Sequence, residues 1–316
     1  GNQQHASEVI FEAEAKGLRV EGNQLVGKNG GRIAVPDEAT LYKAAGLQFV
    51  PPEMRESRGE IAAAKAGGLP TLIEHSDLRG VLHCHSDYSD GTATIEQMAK
   101  AARSRGWEYL GITDHSQAAH YAGGLKPDDV LRQHAEIDKL NSMLKDFRIL
   151  KGIEADILRD GRIDYDEKLL ERFDFVIGSI HARFKQTGAQ ITERVLRAMD
   201  DPHLTILAHP TGRLLLSRPA YDLDLDAVLA KAVENGVAVE VNADPHRLDL
   251  DWRYLHNAKL RGVMIEVGPD AHSPGGLDAT ELGIGMARKG WLEPGDVLNT
   301  GSAQSIIDFA RKRLTA

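Results

Sequence analysis

From Arg79 onward, short apolar runs alternate with amphipathic, charged stretches. Seven runs stand out: "GVLHCH", "YLGITDH", "RILKGIE", "FVIGSIH", "LTILAHP", "VAVEVN" and "VMIEVGPDAH". Continuous apolar runs of this length are the pattern of strands buried on both faces of a parallel sheet. Between them lie "TIEQMAKAARSRG", "DLDAVLAKAVENG" and "WRYLHNAKLRG", whose apolar residues recur at helical spacing. Each closes on a glycine that can take the left-handed conformation ending a helix. Strand and helix alternating in this way predict an α/β fold with a parallel sheet.

The first ~75 residues follow another pattern. Ala6 to Lys16 reads as a short helix, "LRVEGNQLVG" as a hairpin turning at Gly22 and Asn23, and "PDEATLYKAAG" as a helix opened by Pro36 and closed by Gly46. In "FVPPEMRESRGEIAAAKAGGLPTL", Pro51-Pro52 and Gly67-Gly68 punctuate a connecting stretch. The expected organisation is a small α+β appendage over residues 1–46, a linker over 47–78 and one large domain over 79–316.

Composition narrows the class. A single cysteine, Cys84, excludes an intramolecular disulfide framework, no apolar run approaches a membrane span, and no signal peptide is visible, so the cytoplasm is the expected compartment. A formal net charge of −9 argues against a broad basic nucleic-acid surface. Affinity for phosphate would have to be local, from a few basic side chains or from bound cations.

The polar residues supply the chemistry. The runs end in His83 and His85, His115, Glu154, His181, His209, Asn242, then Asp270 and His272. In a closed α/β barrel these ends would meet at one rim. Strand alternation sends His83 and His85 to one side and Cys84 to the other, where it serves as wall packing. The six histidines of this set, with Glu154, Asp270 and nearby Asp90, make nine nitrogen and oxygen donors, more than one catalytic zinc needs and suited to two or three divalent ions. Three such ions against three carboxylates leave about three positive charges, an attractive pocket for phosphate. Mn²⁺, Zn²⁺ and Fe²⁺ all accept such mixed shells. The other histidines, His5, His75, His120, His134, His203, His246 and His256, are read as ordinary side chains, with His120 and His246 on loops that border the site. Asp224, Asp226, Asp249 and Asp251 precede helical patterns and read as caps or first-turn residues, and Arg311, Lys312 and Arg313 as a solvated helix end.

In order, "HCHSDYSDG", "GITDHS", "GIEADIL", "GSIHARF", "AHPTGRLL" and "PDAHS" resemble the PHP (polymerase and histidinol phosphatase) superfamily of metal-dependent phosphoesterases. With "GRIDYDEKLLERFD", "EVNADPHRLDLDW" and "FVPPEMRESRGEI", the chain is most similar to the C-terminal PHP domain of bacterial family X DNA polymerases, the last segment resembling the join to the polymerase thumb. The resemblance implies a distorted seven-stranded (β/α) barrel holding three divalent ions (Mn, Zn or Fe). Its ligands would be His83, His85, Asp90, His115, Glu154, His181, His209, Asp270 and His272, with Glu154 bridging and a metal-bound hydroxide as nucleophile. Pro269 stands where the family has Thr and would reshape the loop aiming Asp270. The implied activity is 3′ to 5′ trimming or related processing of DNA 3′ ends. The chain would be a fragment that begins inside the thumb and lacks the polymerase palm, with an N-terminal polymerase domain in the full-length protein. Arg183, Lys185, Arg213 and Arg247, near strand ends, are candidate phosphate contacts. The alternatives are a histidinol phosphate type phosphatase, an amidohydrolase-like hydrolase, a class that often uses a carboxylated lysine bridge where the strand end here offers Glu154 and Lys151 lies inside the run, and a metal-stabilised DNA-positioning module.

Overall fold

The computed structural model describes residues 1–22 and 24–315 and divides between Leu72 and Ile73 into two units. In the first, the helix Gln3–Ala15 is opened by Asn2, whose side chain accepts from His5 N at 2.8 Å. It precedes an antiparallel sheet of β1 (Arg19–Glu21), β2 (Gln24–Val26) and β3 (Arg32–Ile33). Gly22 turns the expected hairpin at φ 58°; Asn23 lies outside the described residues. Asp37, not Pro36, opens the helix Glu38–Ala45, because its Oδ1 accepts the Thr40 amide at 2.8 Å, a bond that proline cannot offer. Gly46 closes it at φ 75°.

Residues 47–72 are packed into this unit, where a linker was expected. Leu47, Val50, Met54, Ile61 and Ala64 are buried, and a third helix spans Glu60–Ala66. Its first residue, fully buried Glu60, meets His5 Nδ1 at 2.6 Å, while His5 Nε2 meets the Tyr42 hydroxyl at 2.6 Å. A histidine read as ordinary therefore ties the two ends of the unit together.

Among the described residues the second unit carries eight parallel strands: β4 (Gly80–Val81), β5 (Tyr109–Ile112), β6 (Arg148–Lys151), β7 (Glu154–Asp156), β8 (Val176–Ser179), β9 (Leu204–Leu207), β10 (Ala238–Asn242) and β11 (Ile265–Gly268). They form a three-stranded sheet, β4-β5-β6, and a five-stranded sheet, β11-β10-β9-β8-β7. The run "RILKGIE" thus divides in two, interrupted at Gly152 and Ile153. A Cβ at Gly152 would lie 2.5 Å from the buried Phe175 ring, and the Gly152 amide donates to Ile112 O at 2.9 Å, so the break lets that ring fill the interior. Bridges at His115 with Glu154 and Cys84 with Ala271 join the ends of the two sheets.

Helices cover the sheets. Ile95–Ser104 and Gly188–Met199 begin with capping boxes, Thr94 with Gln97 and Thr187 with Gln190. Leu225–Asn235 and Trp252–Arg261 begin at Asp224 and Asp251 and end at left-handed Gly236 and Gly262. Asp226 lies in the first turn of its helix, but Asp249 is no cap: it is fully buried and accepts the Thr211 amide at 2.9 Å. Arg313, expected in solvent, turns inward to the carbonyls of Asn235, Met199 and Leu204. Among the described residues no helix is long and apolar enough to cross a membrane.

Candidate metal centre

Short strands deliver the site by letting the chain run past their ends. After β4, His83 and His85 point into the space beyond the sheet, while Cys84 is fully buried among apolar neighbours. Asp114 fixes the following turn, accepting from the Ser86 amide at 2.8 Å, the Ser86 and Ser89 hydroxyls at 2.5 Å each and Gln133 Nε2 at 2.6 Å. That turn presents Asp90. His209 and Asp270 leave β9 and β11 in the left-handed region, at φ 26° and 51°, a backbone strain that clusters at functional sites.

Glu154 is the hub. Its Oε2 lies 2.9 Å from His115 Nδ1, 3.5 Å from His83 Nε2 and 3.7 Å from His85 Nε2. Its Oε1 lies 3.1 Å from His181 Nε2 and 2.9 Å from His209 Nε2. Asp270 Oδ1 approaches His85 Nε2 at 3.2 Å and His83 Nε2 at 3.5 Å, so Pro269 does not turn it away. Asp90 faces His115 at 3.5 Å and His272 at 3.3 Å, and the rings of His85 and His272 stack with centroids 4.1 Å apart. All nine predicted ligands thus enter four overlapping groups: His85, Asp90, His115 and His272; His83, Glu154 and His209; His83, His85 and Asp270; His115, Glu154 and His181.

The donors suit cations. Buried His83 Nε2, both ring nitrogens of His85, His115 Nδ1 and Glu154 Oε2 make no hydrogen bond, although the last two are 2.9 Å apart. Buried lone pairs without donors carry a full desolvation cost, which a shared cation would offset. Burial would favour a neutral Glu154, but His181, His115 and His83 hold its pKa well below the usual range. Burial likewise works against charge on His83, yet Asp270, Glu240 and Glu154 raise its pKa well above the ordinary value. Burial, aided by neighbouring His115, lowers His85 to about 3; burial and Arg247 do the same for His209.

Two carboxylates absent from the sequence reading orient these rings. Glu240 Oε1 meets His83 Nδ1 at 2.5 Å, and Asp156 Oδ1 meets His181 Nδ1 at 2.6 Å. Both signals were present: Glu240 interrupts an apolar strand, and Asp156 is two residues from Glu154, hence on the same strand face. Asn242 donates to Asp270 Oδ2 at 3.0 Å.

The basic candidates separate. Arg247 is mostly buried and its Nε lies 3.2 Å from Asp270 Oδ2, inside the site. Arg213 is instead a brace, bound to Asp251 at 2.7 Å and to the carbonyls of Arg247 and Leu248. Arg183 and Lys185 are exposed on the turn after His181. Lys151 pairs with Asp138 at 2.6 Å, which commits its ammonium to that carboxylate. His246 is exposed beside Asp244, and neither it nor His120 joins a donor group.

Parallel strands ending on a buried nest of imidazoles and carboxylates make a donor cluster able to hold metal. The chain belongs to the PHP domain family, whose pattern matches residues 82–244. A second family, described as DNA polymerase beta thumb, matches residues 1–56. The chain is 39% identical over 313 residues to a Bacillus subtilis protein named DNA polymerase/3′-5′ exonuclease PolX, covering 99% of this chain and 55% of that one. It therefore spans about half the length of that relative. A protein of Acetivibrio thermocellus named "Probable phosphatase" is 31% identical over 188 residues, 57% of this chain and 73% of its own. Among solved structures, a Listeria monocytogenes histidinol phosphatase candidate superposes with a TM-score of 0.52 at 14% identity, covering 63% of this chain and 97% of its own, a likeness of fold.

Proposed function

We propose that this chain is a metal-dependent phosphoesterase that processes DNA 3′ ends, removing nucleotides in the 3′ to 5′ direction. The observation that carries this reading is the single buried nest in which five histidines surround Glu154. We read the two parallel sheets and their bridges as one closed, irregular barrel of seven strand positions, with β6 and β7 sharing one. His83, His85, Asp90, His115, Glu154, His181, His209, Asp270 and His272 would hold three divalent ions, Mn, Zn or Fe. When bound, such ions lower the pKa of water towards neutrality and stabilise the entering and leaving oxygens of an in-line displacement.

The protein's own groups do the positioning. Glu240 and Asp156 fix the orientation of His83 and His181, so that their inner nitrogens face the nest. Arg247 brings a guanidinium to its wall, where it can take phosphate oxygens. The thumb match at residues 1–56 and the polymerase-named relative favour DNA over a small phosphoester. In a longer protein a polymerase region would be the natural partner of this unit.

Gel analysis of 3′-recessed and single-stranded DNA with Mn²⁺ tests the proposal. Nucleotide release that stops on chelation is expected; no release from either substrate contradicts it. A higher kcat/KM on histidinol phosphate than on DNA ends would instead favour a small-molecule phosphatase.

A further inference from the structure

Tyr121 is the exposed aromatic beside the nest. Its ring centroid lies 6.1 Å from both His115 and His181, yet the residue is 71% exposed. The turn that carries it, His120–Ala122, is firmly held. Ala119 and Ala122 are buried, the Ala118 amide donates to Asp164 at 2.7 Å, and the Leu125 amide returns to His115 O at 2.9 Å. Gly124 packs so closely on the Ser116 carbonyl that no side chain fits there. The fold thus spends a rigid support on an aromatic ring that contributes little to its core.

A ring in this place has one evident use. A phosphodiester held in the nest would present its terminal nucleoside at the mouth, one sugar away from the reacting phosphorus. Every base offers a flat face, and stacking on an aromatic side chain tolerates any sequence. Resting on the reading of this site as a DNA 3′-end phosphoesterase, we infer that Tyr121 is the platform on which the terminal nucleobase stacks. It is a positioning residue that favours nucleotide ends over phosphoesters lacking a base.

The test compares two 3′-recessed duplexes in Mn²⁺, one ending in an ordinary nucleotide and one in a tetrahydrofuran abasic residue. Wild-type protein is expected to favour the ordinary end in kcat/KM by about tenfold, within the range for base stacking on an aromatic ring. Tyr121→Ala should lose that preference through KM, leaving the abasic end and the melting temperature unchanged. Tyr121→Phe and Tyr121→Trp should keep it. Equal loss on both ends in Tyr121→Ala, or loss of the preference in Tyr121→Phe, overturns the platform while leaving the 3′-end reading intact. No release from any end by the wild-type protein overturns that reading, and the platform with it.

Discussion

Single residues set the chemistry through what touches their far side. A histidine binds a cation with one ring nitrogen only if something fixes the other, and Glu240 does this for His83 at 2.5 Å. Glu240→Gln is therefore expected to weaken cation binding about 10- to 100-fold, read by competition with a chromophoric chelator. Unchanged affinity would show that His83 is oriented by packing alone. A second carboxylate, Asp251, carries stability. Burial would raise its pKa, but Arg253 and Arg213 outweigh that and hold it at about 2 against an ordinary 3.8. A folded value below the unfolded one makes its contribution complete above about pH 4 and lost as pH falls through about 2. Urea unfolding between those limits should give a shallower loss of stability for Asp251→Asn than for the wild type, and identical slopes would contradict this. The donors at strand ends were legible because the residue type recurred run after run. Glu240 showed only as a charge interrupting an apolar strand, because its partner His83 follows a strand of the other sheet, and Asp249 resembled a cap although it is buried and accepts the Thr211 amide.

At the scale of elements, the strands are short and the site begins where they stop. β4 spans only Gly80–Val81, so His83 and His85 leave the sheet while keeping the alternation that the sequence predicts. The division of the third run could not be read from hydrophobicity, since "RILKGIE" carries apolar residues on both sides of its glycine. It depends on Phe175, which comes from the next strand region and needs the volume that Gly152 leaves empty. Gly152→Ala would force a methyl against this buried ring and against Thr113 Cγ2, at a cost of about 1–3 kcal/mol for an overpacked core. A lowered melting temperature is the expected reading; an unchanged one would mean that Phe175 has room to move. The same dependence on tertiary contacts explains the first unit. Its connecting stretch carries prolines and glycines that suggest a linker, yet His5, Glu60 and Tyr42 draw it into a packed body.

For the whole molecule, net charge and site charge oppose one another. A chain of formal charge −9 gathers six histidines and three carboxylates into one nest, and only bound cations would make that nest attractive to phosphate. The order of motifs disclosed the family and the residues that converge, because all but Asp90 lie at or just beyond predictable strand ends. The way sheets of three and five strands are joined through isolated bridges lies in backbone pairing that no local pattern encodes. The central claim is that nine separated donors make one polynuclear cation site with Glu154 at its hub. Metal content per chain after equilibrium dialysis against Mn²⁺ or Zn²⁺, measured for the wild type and Glu154→Ala side by side, tests it most directly. The account predicts about three ions in the wild type and at most about one in the variant at equal folded content; less than one ion in the wild type, or the same number in both, would contradict it.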